Sequence, residues 1–86
     1  MRDVIISPLI LISGRHIRAA RGLLGWTQKD LAKRARVALN TLRKMEDSQG
    51  FVEARTETLI RVTVALEKAG VEFLDDDQPG VRLKKK

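Results

Sequence analysis

Leu39, Asn40, Arg43 and Lys44 fall on the outer side of a short segment of helical period whose inner side is Leu42 and Met45, at i and i+3. An amide, a guanidinium and an ammonium group beside one aliphatic side chain can hydrogen-bond to a partner and neutralise it, but they include no nucleophile and no general base. The chemistry on offer is recognition. Charge nearby agrees: between Arg15 and Lys44 nine lysines and arginines stand against Asp30 alone, a net of +8 in a chain whose total is +6. Positive charge clustered over helices is the footprint of a partner with a phosphate backbone.

Other chemistries find little support. The chain has no cysteine, which excludes disulfides and thiolate zinc sites and is compatible with a reducing compartment. His16 is the only histidine, so it cannot be half of a metal site; it reads as a solvated side chain beside a basic helix, within reach of phosphate. Asp75, Asp76 and Asp77 are consecutive, and three successive side chains cannot converge on one calcium ion, so they read as an acidic turn. No His, Cys and carboxylate constellation points to catalysis, and neither a metal nor a cofactor is expected. The longest apolar stretch, Val4 to Ile12, is broken by Ser7-Pro8 and falls short of the ~20 residues a membrane span needs. Asp3 in its charged flank argues against a signal peptide, and a cytoplasmic location is expected. Lys84 to Lys86 read equally as a phosphate-binding tail or a soluble terminus.

The elements that hold the recognition face follow from caps and stripes. Thr27 is a good N-cap, with Asp30 placing a carboxylate near the positive helix end, so a helix should start there. Leu31, Ala32 and Ala35 give it a narrow stripe of small residues suited to tight packing, while Lys29, Lys33, Arg34 and Arg36 point elsewhere. After Val37 comes the helix bearing Leu42 and Met45, ended by Ser48-Gln49-Gly50 and a loop over residues 51–55. An earlier helix runs from about Ser13, its cap, to Leu24, with Gly25 as the stop; Ile17, Ala20 and Leu24 make its stripe, and Arg15, Arg18 and Arg21 share the opposite side. Trp26 reads as core or boundary packing. Thr56 should cap a fourth helix ending at Ala69, with one stripe of Leu59, Val62, Leu66 and Ala69 and a second of Ile60 and Val64; such a helix needs two partners. Beyond Gly70 the period becomes two: Val71 and Phe73, then Val81 and Leu83, predict two strands joined by residues 75–80. Val4–Ile6 and Leu9–Ile12 also read as strands. In 86 residues with 3% aromatics, the core must be a single layer of helices filled by Leu, Ile, Val and Ala. The expected division is an arm over 1–12, a helical domain over 13–70, and a hairpin with a basic tail over 71–86.

From Ile17 to Leu66 the pattern resembles the Cro/repressor, or XRE, family of helix-turn-helix proteins. The matching residues are Ile17 and Leu23, Thr27-Gln28, Leu31-Ala32, Val37, Thr41-Leu42, Glu46, and then Leu59, Val62 and Leu66. The resemblance implies a mainly α, four- to five-helix, lambda-repressor-like bundle, here with short terminal strands. Two positions depart from the family pattern. Arg36 replaces the usual turn glycine, which strains the backbone if φ is positive, and Ala38 replaces the usual cap.

The same resemblance implies a DNA-binding set of Thr27, Gln28, Ala38, Leu39, Asn40, Thr41, Arg43 and Lys44. Gln28 would contact phosphate and brace the recognition helix; Asn40 would pair with adenine, Arg43 with guanine, Leu39 with a thymine methyl, and Thr41 with phosphate. Glu46 would be structural, tying its helix to backbone or an arginine. The expected function is a homodimeric, sequence-specific regulator of transcription, a bacterial or phage repressor on an inverted-repeat operator. Its alternatives are a toxin–antitoxin antitoxin and an adaptor that no longer binds DNA. Ile60, Val64 and the sheet face would be covered by the second subunit, and a regulatory protein partner remains open.

Overall fold

The computed structural model describes residues 13–47, 56–74 and 80–84. The expected strands in Val4–Ile12, the loop over 51–55, the acidic turn and the last two lysines lie outside them. Four helices, α1 (Gly14–Leu24), α2 (Gln28–Ala35), α3 (Leu39–Asp47) and α4 (Thr56–Lys68), precede two strands, β1 (Val71–Leu74) and β2 (Gly80–Leu83). The mainly helical expectation holds, with a two-stranded sheet added.

Each helix starts and stops where local chemistry dictates. The Thr27 hydroxyl accepts from the Asp30 N–H at 3.0 Å while the Asp30 carboxylate accepts from the Thr27 N–H at 2.9 Å, so α2 opens on a reciprocal box. Those bonds, the backbone N–H foremost, hold the exposed Asp30 carboxyl below its ordinary value. α1 opens on the same device with an unusual partner. Ser13 caps the His16 N–H, and the Ser13 N–H donates to His16 Nδ1 at 3.0 Å. His16 is therefore half-buried, 6.4 Å from the Phe73 ring, and not the solvated side chain expected; its burial lowers its pKa. Thr56 is the first residue of α4 and not its cap.

The core joins Ile17 and Ala20 of α1, Leu31, Ala32 and Ala35 of α2, Leu42 and Met45 of α3, Leu59, Val62 and Leu66 of α4, and Val71 of β1. α2 packs on α3 and α4, α1 on α3, and β2 lies against α1. Thr63 sits within the α4 stripe, its hydroxyl satisfied by the Leu59 carbonyl at 2.8 Å. Leu23 is 44% exposed, and Leu24 packs instead. Six residues beyond Ile17, Leu23 lies roughly 240° around the helix and cannot join a stripe that includes Ile17 and Ala20.

The strands are antiparallel, pairing Val71 with Leu83 and Phe73 with Val81, and so put the four apolar residues on one face. Glu72 opposes Arg82 on the other face, 2.6 Å from its guanidinium, which lowers the Glu72 pKa. Phe73 and Val81 pack on the core; Leu83 is 45% exposed. Gly80, read as part of the turn, begins β2.

Candidate nucleic-acid interface

The α2–α3 connection is built from a left-handed residue. Arg36 has φ 60° and ψ 47°, the only positive φ outside glycine among the described residues. The Val37 N–H donates to the Ala32 carbonyl at 3.0 Å and the Arg36 N–H to the Lys33 carbonyl at 3.3 Å, the paired bonds of a Schellman stop. Gly25 ends α1 in the same way, with φ 72°. An L-residue in this conformation costs about 1–2 kcal/mol, which here is offset by those two bonds and by the Arg61 guanidinium, which donates to the Arg36 carbonyl at 3.3 Å. The Leu42 N–H returns to the Ala38 carbonyl at 3.0 Å, so Ala38 stands at the N-cap of α3 with no side-chain acceptor to offer.

A buried carboxylate fixes α3 against the first two helices. Glu46, 1% exposed, accepts from Arg21 Nε at 2.7 Å and Nη2 at 2.9 Å, a two-pronged pair, and from Gln28 Nε2 at 3.0 Å. Arg21 Nη1 reaches the Trp26 carbonyl at 3.0 Å, so one guanidinium joins α1, the α1–α2 turn and α3. Arg18 donates to the Glu46 main-chain carbonyl, satisfying an orphan acceptor at the negative end of α3. Arg21 is thus half-buried against α3 and leaves the polar side it was expected to share, while Arg18 stays exposed with Arg15 although its guanidinium reaches the end of α3. The backbones also touch. A Cβ on Gly14 would meet the Glu46 carbonyl carbon at 2.8 Å and the Met45 oxygen at 2.9 Å, so only glycine fits there.

With the inner side of α3 held in this way, Asn40, Arg43 and Lys44 are exposed on its outer side. Ala38 and Thr27 are exposed as well, while Thr41 and Gln28 are half-buried. Leu39 is half-buried and packs on the core, and not on the outer side where the helical period put it. Gln28 Nε2 donates to Glu46, which supplies the bracing contact expected of it. Trp26 lies at the core boundary, and the Arg34 guanidinium sits 4.5 Å from its ring centroid. Among the described residues no group of His, Cys, Asp and Glu could hold a metal ion, and no helix is long and apolar enough to cross a membrane.

Sequence reasoning missed Arg21, Arg18, Gly14 and the capping role of His16. The signal for the last was readable, because Ser13 precedes an acceptor-bearing side chain by three residues.

The family model described as helix-turn-helix matches residues 17–69, α1 through the turn after α4. The chain belongs to the helix-turn-helix family. It is a DNA-binding regulator of the Cro/XRE type. No curated protein matches it. Within this helix-turn-helix protein the matched span contains the left-handed turn and the Glu46 lock, while both strands follow it.

Proposed function

We propose that the protein is a sequence-specific repressor that binds double-stranded DNA as a homodimer on an inverted-repeat operator, in the cytoplasm of a bacterial or phage-infected cell. In this reading α3 enters the major groove, Asn40 and Arg43 read base edges, and Lys44, Thr41 and the α2 start at Thr27-Gln28 contact phosphates. The observation that carries it is the division of α3: Leu42, Met45 and Glu46 are buried and locked, and Asn40, Arg43 and Lys44 face outward from a basic surface. A reading helix must be rigidly held if its side chains are to discriminate between bases. For the second subunit we put forward the sheet side, where Leu83 is exposed and β2 pairs on one side with β1 among the described residues.

Selection from a random duplex library tests this reading. The expected product is a two-fold symmetric motif whose half-sites lie about one helical turn, ~34 Å, apart. The chain should bind that motif with a Kd of about 10⁻⁸ to 10⁻¹¹ M, with log affinity falling linearly with log salt. Failure to enrich any duplex at low salt would overturn DNA recognition, and an asymmetric motif would overturn the dimer.

A further inference from the structure

Ile60 and Val64, 42% and 38% exposed, are the aliphatic residues that α4 leaves outside the core. With Ala35 and Ala65 they floor a groove of about 370 Å³ between the end of α2 and α4, and a second hollow of about 290 Å³ extends it along α4 to Ala69. From residue 60 to residue 69 the floor runs roughly 14 Å, room for about two turns of another helix. The rim is Arg34, Arg36, Arg61 and Lys68, four cations against the single carboxylate of Glu57, which pairs with Arg61. Two of these cations are already anchored: Arg34 on the Trp26 ring, and Arg61 through Glu57 at 2.9 Å and the Arg36 carbonyl.

We infer that this groove is a docking site for an acidic amphipathic helix of a partner protein, with aliphatic side chains on Ile60 and Val64 and carboxylates against the four cations. The charge decides between occupants. A second copy placing the same patch here by two-fold symmetry would bring two net-positive rims together, so the self-covering of Ile60 and Val64 expected from sequence is unfavourable. A phosphate backbone would satisfy the rim but leave the aliphatic floor without an apolar partner. An amphipathic helix with acidic flanks satisfies both, since the apolar contact supplies affinity and the ring of charge supplies orientation and rate.

The probe is a fluorescein-labelled synthetic helix of about four turns, with leucines at i, i+3, i+4 and i+7 and glutamates elsewhere, titrated with the full chain by anisotropy. Saturable binding is expected. It should weaken about tenfold or more in Ile60→Ser/Val64→Ser and in Arg36→Gln/Lys68→Gln, each shown to be folded by circular dichroism. Ile60→Ser/Val64→Ser should leave binding to mixed genomic duplex DNA unchanged. The inference fails if the peptide does not saturate, or if a version with lysines in place of the glutamates binds equally. It also fails if Ile60→Ser/Val64→Ser turns a dimer into a monomer in sedimentation, or if duplex DNA displaces the peptide from the groove. Loss of DNA recognition by the intact chain would overturn the proposed function and leave the peptide result standing.

Discussion

Replacing Glu46 with alanine tests whether the buried carboxylate holds the reading helix. The change strips Arg21 of both arms of its ion pair and Gln28 of its acceptor, with Arg21 only 19% exposed and unable to recover much hydration. Removing one member of a buried pair costs about 3–5 kcal/mol, and partial exposure of Arg21 points to the lower end; the Gln28 bond adds up to about 1 kcal/mol. The expected loss is about 3–4 kcal/mol, a large part of the 5–15 kcal/mol that stabilises a typical domain. At this chain length that lowers Tm by at least about 12 °C. Urea unfolding followed by circular dichroism measures it, and because the pair is buried the loss should be nearly the same at low and high salt. The double replacement Arg21→Met/Glu46→Met should be less destabilised than the two single changes added together, since no charge is left buried alone. A Glu46→Ala loss below about 1 kcal/mol, or strict additivity in the cycle, would refute the assignment of Glu46 as the lock.

Arg36→Gly relieves a left-handed L-residue and Ala38→Ser gives α3 its missing cap, so each should raise stability by about 0.5–1.5 kcal/mol in the same urea assay. Gly14→Ala should destabilise by about 1–3 kcal/mol despite the better helix propensity of alanine, because its Cβ meets α3 backbone that cannot yield; a raised Tm would contradict the close approach. His16 carries a pKa lowered from its ordinary 6.5 by burial, so the unfolded chain takes up the proton first. Its contribution to stability is complete above pH 6.5 and is lost as pH falls through that value toward the lowered folded one; urea midpoints at successive pH values should show this drop, and His16→Gln should abolish it. Arg43→Ala should cost about 1–3 kcal/mol of DNA affinity and relax preference at one or two base positions, whereas Gln28→Ala should weaken all sequences alike; an unchanged base-substitution profile for Arg43→Ala would remove it from direct readout.

The candidate interface was legible in large part because its signals are local. Thr27 with Asp30, Ser13 and Gly25 mark helix ends through side chains and conformations acting within four residues, and the structure places α1 and α2 between them. The alternation of Val71, Phe73, Val81 and Leu83 carried the strand assignment for the same reason. The resemblance implied an arginine or backbone partner for Glu46 but not which one: nothing near Arg21 announces a carboxylate 25 residues on, and its spacing alone places it with Arg15 on the polar side.

The sequence alone determined the family pattern, the basic surface and which side of α3 is apolar, since each rests on composition or on a period of 3.6 residues. Tertiary structure decided that Arg21 and Gln28 converge on Glu46, that Gly14 must lack a side chain, and that Ile60 and Val64 floor a groove with a cationic rim. These outcomes depend on the relative placement of helices packed around one core, and a buried charge or a groove acquires its partners only when that packing removes water and brings distant segments within bonding distance.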